Sequence, residues 1–259
     1  MTSPVAAAKQ QLRRLLKQRL SQVSQESILA QSNTIFEMLK SFKPYQDARR
    51  ISIYLSMPAA EIQTDAIVRH ALASGKQVFV PYLHKSPLDE PGTPARVMDM
   101  VQLRDVRDYD GLQRDSWGIP SIDPATVHLR QRILGGGGGG GGPDGAQNSE
   151  QATTLDLILM PGVAFDTDER GCVRRLGHGK GFYDFFLNRY LATKPHDEAG
   201  GEHVLRFYGL ALKEQLLDPM ADEPVPMGQF DRKLHGLILG NGEIKLSPDA
   251  EAVEAVSES

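Results

Sequence analysis

The sequence predicts an α/β fold, a three-layer α/β/α domain around a mostly parallel sheet. Three observations point there. Residues 51–81 read as strand, helix, strand, the unit that makes parallel neighbours. A second set of strand patterns, at 155–160, 207–212 and 235–239, alternates with a helix at about 181–191. Of the 259 residues, 40% are apolar and 24% charged, an ordinary load for a soluble domain able to bury a real core.

The elements follow in order. Leu12, Leu15, Leu16, Leu20 and Val23 fit one apolar face of a first helix. Lys9, Arg13 and Lys17, spaced i, i+4, i+8, form a basic stripe beside it. Ser21 and Ser24 suggest a stop and a new N-cap. Residues 1–25 also hold no Asp or Glu and several Ser, as mitochondrial transit peptides do. Pattern alone leaves both readings open. A second helix is expected from Gln25 to Lys40 with Ile28, Ile35, Phe36 and Leu39 inward. Ile51 to Leu55 reads as a strand. Thr64 caps a helix that starts at Asp65, runs to Ala73 and is ended by Gly75. Gln77 to Pro81 is the next strand, and Arg96 to Leu103 another. Residues 104–124 are turn-rich. Gly135 to Gly142 opens a low-complexity stretch, 135–153, read as a flexible insertion within a single domain of residues 1–245. Neither flank of it makes a comfortable sheet alone. From 246 to 259 the chain is acidic and read as a solvated tail. The whole is a Rossmann-like open sheet with N-terminal helices, its ligands at the strand C-terminal ends.

Composition removes several function classes. The net charge of −4 argues against a generic nucleic-acid binder. The single Cys172 rules out an intrachain disulfide and a cysteine-based zinc site. No run of 18 apolar residues is present, so neither a membrane helix nor a membrane partner is expected. No secretory apolar region opens the chain, and a reducing, cytoplasmic location is expected, with mitochondria as the alternative.

The most informative segment is Arg174-Arg175-Leu176-Gly177-His178-Gly179-Lys180-Gly181-Phe182-Tyr183-Asp184. Three alternating glycines stand between a strand and a helix. Such a loop turns backbone N–H groups towards a ligand, and a helix N-terminus favours phosphate. Arg175 and Lys180 add full positive charges there. Asp184 offers a hard oxygen suited to Mg²⁺. The set suggests a nucleoside triphosphate site. It is not a Walker A loop, because Lys180 is followed by Gly181 instead of Ser or Thr. It is not a dinucleotide fingerprint either, because Phe182 stands at the third glycine position. A plain glycine-rich turn with a basic flank is the bland alternative.

Together with Met160-Pro161-Gly162-Val163-Ala164-Phe165-Asp166, this segment resembles the 5-formyltetrahydrofolate cyclo-ligase family. The resemblance extends to Lys9-x-x-Leu12-Arg13, Ile51 to Met57, Glu61-x-x-Thr64, Met98-x-Met100-Val101, Trp117-Gly118-Ile119-Pro120 and Asp231, in that order. Phe182 replaces the family's first Tyr of a Tyr-Tyr pair, and the stretch from Phe165 to Arg175 is longer than usual. Arg174 and Arg175 are both candidates for the family's arginine; Arg175, directly before Leu-Gly, is favoured.

The resemblance implies an enzyme that uses ATP and Mg²⁺ to convert 5-formyltetrahydrofolate to 5,10-methenyltetrahydrofolate. The formyl oxygen is phosphorylated, N10 closes the ring, and ADP and phosphate are released. It implies ATP binding by Lys9, Arg13 and the run Arg175, Leu176, Gly177, His178, Gly179, Lys180, Gly181, Phe182 and Tyr183. Arg175, Lys180 and Tyr183 would be catalytic. Leu55, Glu61, Trp117 and Tyr183 would line the folate pocket, and Asp184 and Asp231 would hold Mg²⁺. A monomer is expected. If Lys9 and Arg13 bind ATP, the first helix is not a cleaved leader. Two other readings stand beside this one: a non-catalytic paralogue binding nucleotide, folate or RNA, and a different enzyme, such as a sugar-phosphate isomerase, on the same scaffold.

Overall fold

The computed structural model describes residues 3–86, 94–134, 154–192 and 204–248. The low-complexity stretch 135–153 and the acidic tail beyond 248 lie outside these residues.

The chain opens with α1 (Pro4–Leu20), whose N-cap Ser3 accepts the Ala6 N–H at 3.2 Å. Ser24 caps α2 (Gln25–Ser41) in the same way, and α3 (Lys43–Asp47) follows. Strand β1 (Arg50–Ile53), helix α4 (Asp65–Ala73) and strand β2 (Gln77–Lys85) make the expected crossover. β3 (Arg96–Leu103) returns antiparallel to β2. The turn-rich segment holds α5 (Val106–Asp110) and the short pair β4 (Gln113–Arg114) and β5 (Pro120–Ser121). Then come β6 (Leu157–Met160), the hairpin β7 (Ala164–Thr167) and β8 (Val173–Leu176), α6 (Phe182–Ala192), β9 (Arg206–Ala211), β10 (Gly236–Leu239) and β11 (Ile244–Leu246).

Seven strands form one sheet in the order β11-β10-β9-β6-β1-β2-β3. All neighbours from β10 to β2 are parallel, and each edge carries one antiparallel strand. Taking only the parallel strands in chain order, the sequence across the sheet is 2-1-3-4-5. The order reverses between β1 and β6, and the crevice outside their C-terminal ends is where ligands bind in such sheets.

Strand alternation sorts the core into two faces. Ile51, Ile53, Val78, Val80, Leu157 and Leu159 pack with Ile28, Ile35 and Leu39 of α2 and Ile67, Val68 and Ala71 of α4. Phe79, Ile158, Met160 and Leu237 pack on the other face with Phe186, Leu187 and Tyr190 of α6. The three-layer arrangement expected from the sequence is thus present. α1 does something different. Its Leu12 and Leu16 form a third cluster with Val163, Ala164, Leu176 of the β7–β8 hairpin, Leu217 and Val225. The stripe is narrower than the sequence suggests, since Leu15 is 48% exposed.

Three further differences have local causes. The β7–β8 hairpin was hidden in the sequence because its strands are short and flank a turn of charged residues. β11 ends where the acidic stretch begins, and its own Ile244 and Leu246 face half-buried space. Residues 246–248 therefore belong to the fold and not to the tail expected from 246, and Ser247 is buried with its Oγ accepting the Val173 N–H at 2.9 Å. Thr64 stands at the N-cap of α4 but does not cap it. Its hydroxyl donates to the Tyr54 carbonyl at 2.7 Å, tying the loop after β1 to the helix.

Candidate functional site

The β7–β8 hairpin delivers the first site cation. Successive strand residues point to opposite sides, so Arg174 and Arg175 cannot share a role. Arg174 forks onto Asp166, Nε to Oδ1 at 2.7 Å and Nη2 to Oδ2 at 2.5 Å. Arg175 turns the other way and is 7% exposed. Its Nη1 donates to the Pro161 carbonyl at 3.2 Å, at the C-terminal end of β6. Its Nη2 meets Asp184 Oδ2 at 2.9 Å, and its guanidinium carbon lies 5.4 Å from the Tyr183 ring centre. Strand parity thus separates the two arginines, and Arg175 is the one that sits beside the β1/β6 reversal.

The glycine loop closes against α1. Arg13 Nε donates to the Gly177 carbonyl at 2.8 Å. Gly179 has φ +98, and a Cβ there would lie 3.2 Å from the Arg13 guanidinium carbon. A Cβ at Gly177 would come within 3.0 Å of Arg175 Nη1. Only glycine lets two guanidinium groups approach this loop so closely. Leu176 is buried, and its carbonyl accepts the Val163 N–H at 2.7 Å. His178, Gly179, Lys180 and Gly181 face solvent, and Phe182 is half-buried against the α6 face of the core. Lys180 makes no hydrogen bond or ion pair among the described residues. Although the His178 side chain reaches solvent, the protein crowded around the ring lowers its pKa from the ordinary value, and the charges of Arg175 and Arg13 lower it further.

Lys9 pairs with Asp231 Oδ2, which also accepts the Gly228 N–H at 2.5 Å. Asp184 Oδ1 accepts the N–H of Arg232, the residue after Asp231, at 3.2 Å. Among the described residues no group of three or more His, Cys, Asp or Glu is placed to hold a metal ion. One or two carboxylates are the donors Mg²⁺ takes from protein when it keeps its waters and shares phosphate oxygens, and Asp184 and Asp231 are of that type. Each carboxylate is occupied by a cation in this structure.

The opposite wall is built on the loop after β1. Leu55 and Glu61 are buried, at 8% and 5% exposure. Glu61 Oε1 accepts the Met57 N–H at 2.5 Å. Burial pushes the carboxyl up to about 8, with the Met57 hydrogen bond opposing. The Tyr54 hydroxyl, which donates to the Ile62 carbonyl at 2.9 Å, is raised by burial and by Glu61 and Tyr183 nearby. Tyr183 bridges the two walls. Its hydroxyl is buried and has no hydrogen-bond partner among the described residues, and burial raises it, while Arg175 lowers it and Glu61 raises it. Trp117 is 73% exposed, so it does not wall a closed pocket here. Its loop nonetheless abuts the Glu61 loop, since a Cβ at Gly118 would be 2.8 Å from Pro58 Cγ.

The structure thus brings together Lys9, Arg13, Arg175, Tyr183, Asp184 and Asp231, and places Glu61 next to Tyr183. Sequence reasoning missed Asp166, which draws Arg174 away, and Gln63, which lies inside the Glu61-x-x-Thr64 motif; their types are common and only their contacts mark them.

The model of the 5-formyltetrahydrofolate cyclo-ligase family matches residues 5–239. A Caenorhabditis elegans protein named a probable 5-formyltetrahydrofolate cyclo-ligase is 32% identical, over 91% of this chain and 94% of its own. The mouse 5-formyltetrahydrofolate cyclo-ligase is 33% identical, over 89% and 92%. The NMR structure of the Aquifex aeolicus 5,10-methenyltetrahydrofolate synthetase shares the fold, with a TM-score of 0.58, 19% identity and 93% of each chain covered. The arginine on the hairpin, the glycine loop and the basic first helix are therefore parts of a chain that belongs to the 5-formyltetrahydrofolate cyclo-ligase family.

Proposed function

We propose that this chain is an enzyme that closes 5-formyltetrahydrofolate to 5,10-methenyltetrahydrofolate with ATP and Mg²⁺, releasing ADP and phosphate. The observation that carries this is the union, at the β1/β6 reversal, of a cationic loop-and-helix wall with a buried acid on the facing loop. Tyr183 and Arg175 lie between them.

The division of labour follows from the contacts. Lys9, Arg13, Lys180 and the backbone of 177–181 bind the ATP phosphates. Asp184 and Asp231 would hold Mg²⁺, which supplies charge neutralisation on the phosphates. Arg175 faces the reacting end, where it meets charge that develops as the phosphoryl group moves to the formyl oxygen. Phosphorylation makes that oxygen a leaving group. N10 then attacks the formyl carbon, loses its proton, and phosphate departs with the oxygen. The buried, unpartnered Tyr183 hydroxyl is costly as it stands, and a substrate oxygen beside it would remove that cost. Glu61 takes pterin N–H groups.

The basic first helix belongs to this unit. Cutting it away as a presequence would remove Lys9 and Arg13 from the site, so a cytoplasmic location is part of this reading. No helix among the described residues is long and apolar enough to cross a membrane.

The test is the absorbance of the methenyl product, with purified protein, 5-formyltetrahydrofolate and Mg²⁺, with and without ATP. A rise that requires ATP is expected. No rise from a folded protein that still binds either ligand would replace this reading with the non-catalytic one.

A further inference from the structure

The turn 57–61, which carries Glu61, is held in an unfavourable shape. Ala60 has φ +66, the left-handed region that side chains avoid, and no other non-glycine among the described residues does so. Gln63 opposes this. Its Nε2 donates to the carbonyl of Met57 at 2.9 Å and to that of Glu61 at 2.9 Å. One amide nitrogen therefore links both ends of the turn. The backbone N–H of Gln63 donates to Ser32 Oγ on α2 at 2.9 Å, and Ser32 in turn donates to the Ile28 carbonyl at 2.6 Å. The clamp is thus anchored to a core helix.

We propose that Gln63 is a positioning residue for the folate pocket: its side-chain amide holds turn 57–61 so that the Glu61 carboxyl stays buried beside Tyr54 and Tyr183. This rests on Glu61 being the acid of the folate pocket. Gln63 acts through Glu61 and not on the reacting atoms, so its loss weakens folate binding and spares the chemical step. The amide is needed because two carbonyls require two protons on one donor atom. A leucine of similar size offers none. Without the clamp, strain at Ala60 relaxes by opening the turn, and water reaches Glu61.

The experiment compares wild type, Gln63→Leu and the double variant Ala60→Gly with Gln63→Leu. For Gln63→Leu, KM for 5-formyltetrahydrofolate rises about tenfold, while kcat stays within about twofold and KM for ATP is unchanged. Ala60→Gly, which adopts the left-handed conformation without strain, recovers part of that KM. A second readout needs no turnover. Trp117 is the only tryptophan in the chain, and its loop touches Pro58 of the same turn. Quenching of its fluorescence by 5-formyltetrahydrofolate shifts to higher concentration in Gln63→Leu. A KM within twofold of wild type, a fall in kcat of similar size, or no recovery on adding Ala60→Gly overturns the proposal. If wild type quenches but does not turn over, the activity reading fails and the quenching shift alone decides the clamp. If wild type shows neither, both fail.

Discussion

The two walls of the site are stabilised by opposite means. On the cationic wall Asp231 meets Lys9 and Asp184 meets Arg175. On the facing wall Glu61 meets no cation among the described residues and is buried until it prefers to be neutral. The first wall is a set of charges that can exchange partners when a polyanion arrives. The second is a hydrogen-bonded turn whose acid is neutral below about 8 and ionises more readily when a ligand donates to it. Charge that is paired stays available at all ordinary pH, whereas a desolvated acid ties binding to a proton.

The comparison breaks most readily at Arg175. Arg175→Ala removes the cation that touches Pro161, Asp184 and Tyr183 together. Turnover should fall by about 10²–10³-fold, mainly in kcat, in the methenyl absorbance assay. A change confined to KM would move Arg175 from the reacting end to simple binding.

The facing wall predicts a different signature. Glu61→Gln keeps an oxygen for the Met57 N–H but cannot become a carboxylate. Its KM for the folate should rise about tenfold with little change in kcat. An equal loss in kcat would make Glu61 part of the chemistry.

pH sharpens the same contrast. An acid whose folded value is raised adds stability that is full below its ordinary value of 4.5 and lost as pH rises through about 8. Wild-type Tm should therefore fall as pH rises from about 4.5 to about 8 and then level off, and Glu61→Gln should flatten that fall. Pterin N–H groups favour the carboxylate, so folate affinity should climb with pH up to about 8 and then level off. The variant should show no such climb in titrations across the same range.

The smallest effect on activity belongs to Arg174, the neighbour on the other side of the strand. Arg174→Ala leaves Asp166 buried without its fork, costing about 2 kcal/mol of stability by denaturant unfolding. Turnover should stay within twofold. A large loss would mean that hairpin parity does not separate the two arginines.

Much of this site was legible before folding was considered. The glycine loop, Lys9, Arg13, Arg175 and Asp184 stand out because their chemistry is local and dense. Trp117 is the instructive case on the other wall. Its sequence context marks it, yet in the fold it is 73% exposed while its loop lies on Pro58. Gln63 carried no signal beyond its place in a motif, since a glutamine that bridges two carbonyls looks like any other. β11 stayed hidden because three residues of edge strand just before an acidic stretch have too little periodicity to register.

The sequence by itself determined the layer count, the strand–helix alternation and the ingredients of the cationic wall, because hydrophobic period and residue type are properties of the chain. The tertiary structure decided the rest. It placed the order reversal between β1 and β6, sent Arg174 to Asp166 and Arg175 to the crevice, and brought α1 against the hairpin instead of the sheet. It also made Glu61 a raised acid. Those outcomes depend on burial and on partners distant in the chain, and the energy of a charge or a turn is set by what surrounds it.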